Sequence, residues 1–199
     1  EQVLTFTPVY PPFLEAPGLS GRTLISCPLS NRSGRYDIDF DALRSSLTDQ
    51  TKVILLCSPH NPVGRVWEKD TLQQLANLCL KRNIILCSDE IHSDLVLDPS
   101  VEHVPTASLS EQVAAATVTL MSPAKTFNLP GLNCGFVIIP NARLRRAYKA
   151  AARGIVPHVN ALGYAACRAA FTQCREWRRC LLDDLRDNHR ILHRAVNQI

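Results

Sequence analysis

Three short runs constrain this chain more than anything else in it: Val53–Cys57, Ile84–Cys87 and Thr117–Met121. Each is strand-sized and rich in apolar or β-branched residues. Each stops at a polar pair: Ser58-Pro59, Ser88-Asp89 and Ser122-Pro123. A strand that is apolar at nearly every position is one buried on both faces, the mark of a parallel sheet covered by helices. Helical patterns lie between the runs. Asp70–Arg82 sets Leu72, Leu75, Ala76 and Cys79 on one stripe, and Asp70 with Gln73 fits a capping box. Asp39–Ser46, with Phe40, Leu43 and Leu47 at helical spacing, predicts a shorter helix. Further strands are expected at Val3–Thr7, Thr23–Cys27 and Cys134–Ile139. From Ala142 onward the pattern is helical, with breaks at Gly154–Pro157 and Thr172–Glu176. Alternating strands and helices predict an α/β fold with a mostly parallel sheet.

Composition removes several classes. With 199 residues there is enough chain for a real core. No apolar run reaches the roughly 18 residues needed to span a bilayer, so no membrane segment is expected. The eight cysteines form no CxxC pair, which speaks against a zinc ribbon or a thioredoxin-type site. Several sit inside apolar runs as small hydrophobes, and reduced thiols of a cytoplasmic protein are expected. Residues 143–199 carry 12 basic and 4 acidic side chains. Their helical spacing reads as a solvated face rather than a nucleic-acid surface. No signal segment opens the chain, and Glu1–Pro8 already reads as a strand running into a turn, so a piece of a longer protein is expected.

In open parallel sheets, ligands bind beyond the carboxyl ends of the strands. The residues best suited to chemistry fall there. Tyr10 follows the first strand and Asn61 follows Val53–Cys57. Asp89 and His92 follow Ile84–Cys87, and Ser122 and Lys125 follow Thr117–Met121.

Four segments at these strand ends carry a family resemblance. They are Thr7-Pro-Val-Tyr-Pro-Pro-Phe13, Cys57-Ser-Pro-His-Asn-Pro-Val-Gly-Arg-Val-Trp67, Ser88-Asp-Glu-Ile-His92 and Ser122-Pro-Ala-Lys-Thr-Phe-Asn-Leu-Pro-Gly-Leu132. Together they resemble the fold type I pyridoxal-phosphate enzymes, class I/II aminotransferase superfamily, and most closely its cystathionine β-lyase (C–S lyase) branch. The resemblance covers essentially the whole chain. It implies the three-layer α/β/α large domain of a pyridoxal-phosphate (PLP)-dependent transferase. Residues 1–154 would form part of that domain, and the helices of 155–199 would lead toward a C-terminal small domain outside the chain.

The resemblance also implies roles. Lys125 would hold PLP through its aldehyde and then act as general base. Asp89 would pair with the pyridine nitrogen, and Asn61 would donate to the phenolic oxygen. His92 stands where many relatives carry a tyrosine that touches the same oxygen. Tyr10 would stack on the ring, and Ser122 would bond the phosphate. Glu90 reads as structural. The phosphate-binding arginine that many aminotransferases carry after the lysine is missing from Leu129–Cys134, a departure that favours the lyase branch. The family's glycine-containing phosphate loop and its substrate-carboxylate arginine would lie outside the chain, and Arg190 and Arg194 are not assigned the latter role. The activity implied is β-elimination from an amino-acid substrate by a homodimer. Transamination uses the same residues and stays open, as do a PLP-sensing regulatory domain and an inactive remnant.

Overall fold

The computed structural model describes residues 1–197. Strand β1 (Gln2–Thr7) leads to helix α1 (Pro12–Leu19) and strand β2 (Thr23–Pro28). A small hairpin follows, β3 (Ser30–Arg32) and β4 (Arg35–Asp37), then helix α2 (Phe40–Ser46). Strand β5 (Thr51–Cys57), helix α3 (Lys69–Arg82) and strand β6 (Ile85–Asp89) form the middle of the chain. Helix α4 (Glu111–Ala115), strand β7 (Thr117–Met121) and strand β8 (Phe136–Ile138) complete the strands. Helices α5 (Ala142–Ala152), α6 (Ala161–Gln173) and α7 (Arg175–Val196) close the described chain.

Six strands form one sheet in the order β2-β1-β5-β6-β7-β8. All pairings are parallel except β7 with β8. The chain first moves from β1 outward to β2, then returns to the other side of β1 and runs through β5, β6 and β7. The order therefore reverses between β1 and β5, where doubly wound sheets open a binding crevice. Leu4, Ile54 and Leu86 lie opposite one another across the three central strands. All three are essentially sealed from solvent. Helix α3 buries Leu72, Leu75, Ala76 and Cys79, the stripe read from its sequence. Each such leucine contributes about 1.5–3 kcal/mol by leaving water. On strand β5 the alternate positions Val53 and Leu55 are only half-buried, so one face of that strand is sealed more tightly than the other.

Local chemistry explains where the elements differ from their expected bounds. The capping box at Asp70 does not form. Helix α3 begins one residue earlier, with Glu68 at the cap position and no side-chain cap bond. The Glu68 carboxylate is taken instead by Arg35 and Arg65, and Gln73 bonds Asn77. The prolines at 11 and 12, read as a stop, open helix α1: Pro12 stands in the first turn, where its missing N–H costs nothing. The expected strand Cys134–Ile139 shortens to Phe136–Ile138 at the sheet edge. The helical breaks fall as expected. Gly154 sits at φ +76° between α5 and α6, and Cys174 alone separates α6 from α7. All eight cysteines are free thiols.

Helix α6 starts hard against the segment after the second 3-10 turn (Pro130–Leu132). A Cβ on Gly163 would lie 2.8 Å from the Leu132 carbonyl oxygen and 2.9 Å from Val159 Cγ1. Gly163→Ala is therefore expected to destabilise the chain by about 1–3 kcal/mol, the usual range for overpacking. Urea unfolding measures this, and an unchanged midpoint would show that the α6 start yields freely.

Candidate active site

The strand register sets the site. Cys57 pairs with Asp89, and Asp89 with Leu120, so β5, β6 and β7 end level with one another. The loops that leave these ends carry Asn61, His92 and Lys125, while Asp89 is the last residue of β6. Tyr10 leaves the end of β1 next door. The expected site residues thus come together on one edge.

Lys125 lies in the turn after β7 with its side chain exposed. Ser122 shapes this turn: its hydroxyl donates to the Cys134 carbonyl (2.7 Å) and accepts the Ala124 N–H (3.0 Å). The turn then closes through Phe127 N–H to Pro123 O and Leu129 N–H to Ala124 O. Phe127 stacks on Trp177 of α7 and meets Phe171 of α6 edge-on, with ring centroids 5.9 and 5.6 Å apart. The lysine turn is therefore held by the sheet edge on one side and by aromatic packing on the other.

Asp89 and Glu90 are adjacent carboxylates with opposite fates. Successive residues of an extended chain point to opposite faces. Burial pushes the Asp89 carboxyl up; the Ile91 N–H and the charge of Lys125 pull it down, while the charge of Glu90 adds to the rise. Its Oδ1 accepts the Ile91 N–H at 3.1 Å. Glu90 is buried too, but burial is outweighed there by bonds from His103, the Thr106 N–H and Ser88, which hold its carboxyl low. Glu90 anchors the 103–106 segment, in line with the structural role read for it. Burial lowers the His92 imidazole, and the charge of Lys125 lowers it further. Lys125 is thus within electrostatic reach of both Asp89 and His92.

Asn61 is half-buried in a tight loop. Its N–H approaches Cys57 Sγ at 3.4 Å. The same thiol donates to the Pro59 carbonyl at 3.2 Å, and burial pushes it up to about 11, so the donating proton is retained. The Asn61 carbonyl accepts the Tyr10 N–H at 3.1 Å. His60 stands beside Asn61 in the Cys57–Trp67 segment and is a further functional candidate that its sequence neighbours do not mark. Its imidazole Nε2 donates to the Pro8 carbonyl at 2.8 Å, a partner 52 residues away that no local pattern reveals. A cleft of about 1550 Å³ between the 59–69 loop, the 92–102 loop and α7 reaches Asn61 and His92 but not Lys125 or Asp89. No group of three or more metal-ligating side chains occurs among the described residues. Nor is any helix among them long and apolar enough to cross a membrane.

Fold and site together define an α/β protein with an amine near a half-buried carboxylate at the carboxyl edge of a mostly parallel sheet. The comparisons make this specific. The family model described as aminotransferase class I and II matches residues 1–198. The chain belongs to that family. It is 40% identical over 188 residues to the cystathionine beta-lyase PatB of Bacillus subtilis, covering 93% of this chain and 47% of PatB. It is 34% identical to protein MalY of Escherichia coli, covering 94% of this chain and 48% of MalY. The crystal structure of cystalysin from Treponema denticola, which contains a pyridoxal 5′-phosphate cofactor, superposes with a TM-score of 0.92. That match has 39% identity and covers 96% of this chain and 49% of cystalysin. The chain spans about half the length of the curated relatives it matches.

The partly desolvated Asp89 charge has a thermodynamic consequence. The native state binds the Asp89 proton more tightly than the unfolded chain, because burial raises its carboxyl from 3.8. Stability therefore falls as pH rises from the unfolded value through the raised one, and stays lowered above it. Asp89→Asn keeps an acceptor for the Ile91 N–H and removes the charge. It is expected to stabilise the chain at pH 7 by about 0.5–2 kcal/mol, as relief of a functional site commonly does. At pH 3 the gain should vanish. Urea unfolding at both values measures this, and a variant less stable than wild type at pH 7 would contradict it.

Proposed function

We propose that this chain is the cofactor-holding part of a PLP-dependent C–S β-lyase acting on an amino acid with sulfur at Cβ. The observation that carries the reading is the placement of Lys125 within electrostatic reach of the half-buried Asp89 carboxylate, at the level ends of β6 and β7. The donor set fits PLP. A half-buried carboxylate suits a protonated pyridine nitrogen, an amide and an imidazole suit a phenolic oxygen, and the partly exposed Tyr10 ring suits a flat aromatic face. Asp89, Asn61, His92 and Tyr10 would hold the ring, and Lys125 the aldehyde. Ser122 would reach the phosphate only with the hydroxyl capacity left by its two loop bonds. Bound there, PLP supplies a sink for the electron pair left at Cα when its proton departs.

The chain's own residues then do the following work. Once the substrate's amine had displaced it from the aldehyde, the free Lys125 amine would accept the Cα proton as general base. The negative charge of the Asp89 carboxylate would keep a proton at the pyridine nitrogen. Departure of thiolate from Cβ completes the elimination, giving pyruvate and ammonia after hydrolysis. The identity to the cystathionine beta-lyase PatB supports elimination. The family's description supports transamination, in which no group would leave Cβ. The proposal extends to a homodimer in the cytoplasm. It also takes residues 1–154 as part of the large domain and 155–199 as its link toward a small domain.

Borohydride trapping tests the reading. The chain, and a version extended to the length of its relatives, would be mixed with PLP, reduced, digested and mapped by mass spectrometry. A pyridoxyl group on Lys125 is expected. Label scattered over surface lysines in both would overturn the cofactor assignment. In the extended protein, cystathionine should yield pyruvate, and Lys125→Ala should slow that about 10²–10⁴-fold, the usual worth of a general base. An oxo acid that retains the sulfur, formed without pyruvate, would assign transamination.

A further inference from the structure

We infer that His60 is a positioning residue that fixes Tyr10 and Asn61 as one unit; the part of this inference that concerns PLP rests on the function proposed above. The backbone ladder between β1 and β5 ends at Thr5 opposite Leu55. Tyr10 lies five residues past that point and Asn61 six. With no ladder to align them, side-chain and loop bonds must take over. Two do so. The His60 imidazole donates from the β5 side to the Pro8 carbonyl (2.8 Å), and the Tyr10 N–H donates from the β1 side to the Asn61 carbonyl (3.1 Å). The pair runs in opposite directions, like one rung of a ladder rebuilt with an imidazole.

The donor is fixed by its surroundings. A carbonyl only accepts, so Nε2 must carry a proton. The side chain is 1% exposed, and burial favours the neutral ring, against the opposing pull of the Pro8 and Cys57 carbonyls. The ring also meets Trp67 edge-on, centroids 5.5 Å apart. Trp67 is itself pinned by its indole N–H to the Cys57 carbonyl at 2.9 Å. The His60 backbone closes the loop that presents Asn61: His60 N–H bonds Arg65 O at 2.7 Å and Gly64 N–H bonds His60 O at 2.8 Å. Asn61 and Tyr10 are the two groups proposed to grip the phenolic oxygen and the ring face. His60 touches neither cofactor nor substrate in this scheme and acts through both.

The test compares His60→Phe, which keeps the ring shape and lacks the donor, with His60→Gln, which restores an N–H donor. Two quantities are read: hydrogen exchange of the Tyr10 amide without cofactor, and PLP affinity by absorbance titration. His60→Phe should speed Tyr10 exchange and weaken PLP binding by about 3–12-fold each, the worth of one net hydrogen bond. His60→Gln should return both to within about 3-fold of wild type while its urea midpoint matches that of His60→Phe. If the Phe variant does not fold, His60→Met supplies the donor-free comparison. Wild-type exchange and affinity in the donor-free variant, or equal losses in the Gln variant, would overturn the inference. Absence of pyridoxyl label on Lys125 in both the chain and its extended version would sink the cofactor reading instead, and Tyr10 exchange alone would then decide whether His60 is the staple.

Discussion

Everything chemical in this molecule depends on three parallel strands ending at the same height. The pairing of Cys57 with Asp89, and of Asp89 with Leu120, levels the carboxyl ends of β5, β6 and β7. Shifting any one strand by a single residue would turn its side chains to the other face. Register is secured by the sealed row of Leu4, Ile54 and Leu86 beneath, which shares one buried core with Leu72, Leu75 and Cys79 of α3. The hydrophobic core thus acts as the alignment device for polar groups that lie above it. The same leveling lets one amine sense both a carboxylate and an imidazole from neighbouring loops.

The Asp89–Glu90 pair shows how strand geometry sorts charge. Two adjacent carboxylates would be poor neighbours on a helix face, but an extended chain turns them apart. Glu90 goes to a pocket that satisfies it fully, with bonds from Ser88, His103 and the Thr106 N–H. Asp89 goes to the edge with one backbone bond and an amine nearby. One carboxylate is spent on holding a loop and the other is left under-satisfied. An under-satisfied, half-buried carboxylate is what a cationic ring nitrogen would complete, so a stability cost in the protein becomes binding energy for a ligand.

The strands and the order of the edge residues were legible in the sequence because both are local. Val53–Cys57 and Thr117–Met121 announce themselves by composition and stop at turn-forming pairs. Asn61, Asp89 and Lys125 sit in short segments that follow directly. Helix α1 was hidden because prolines look like breakers when their place in the first turn is unknown. The capping box at Asp70 failed because Glu68 already had Arg35 and Arg65 as partners, and Arg35 comes from a hairpin 33 residues upstream. His60 was overlooked for the same reason: its partner is a carbonyl 52 residues away. Ser122 was read as a ligand group, yet its hydroxyl is engaged in shaping the lysine turn, a use set by the return of the chain to Cys134. Apart from short elements such as helix α1, what escaped the sequence was contact between segments.

Helix α7 is fastened at two places that matter. Trp177 stacks on Phe127, two residues from Lys125. Along the same element, Arg178 pairs with Asp94 and Arg186 donates to the Leu97 carbonyl, both on the loop that carries His92. Neither fastening passes through the sheet. Helix α7 is therefore a brace common to the lysine turn and the histidine loop, tying the two sides of the site to each other independently of the strands.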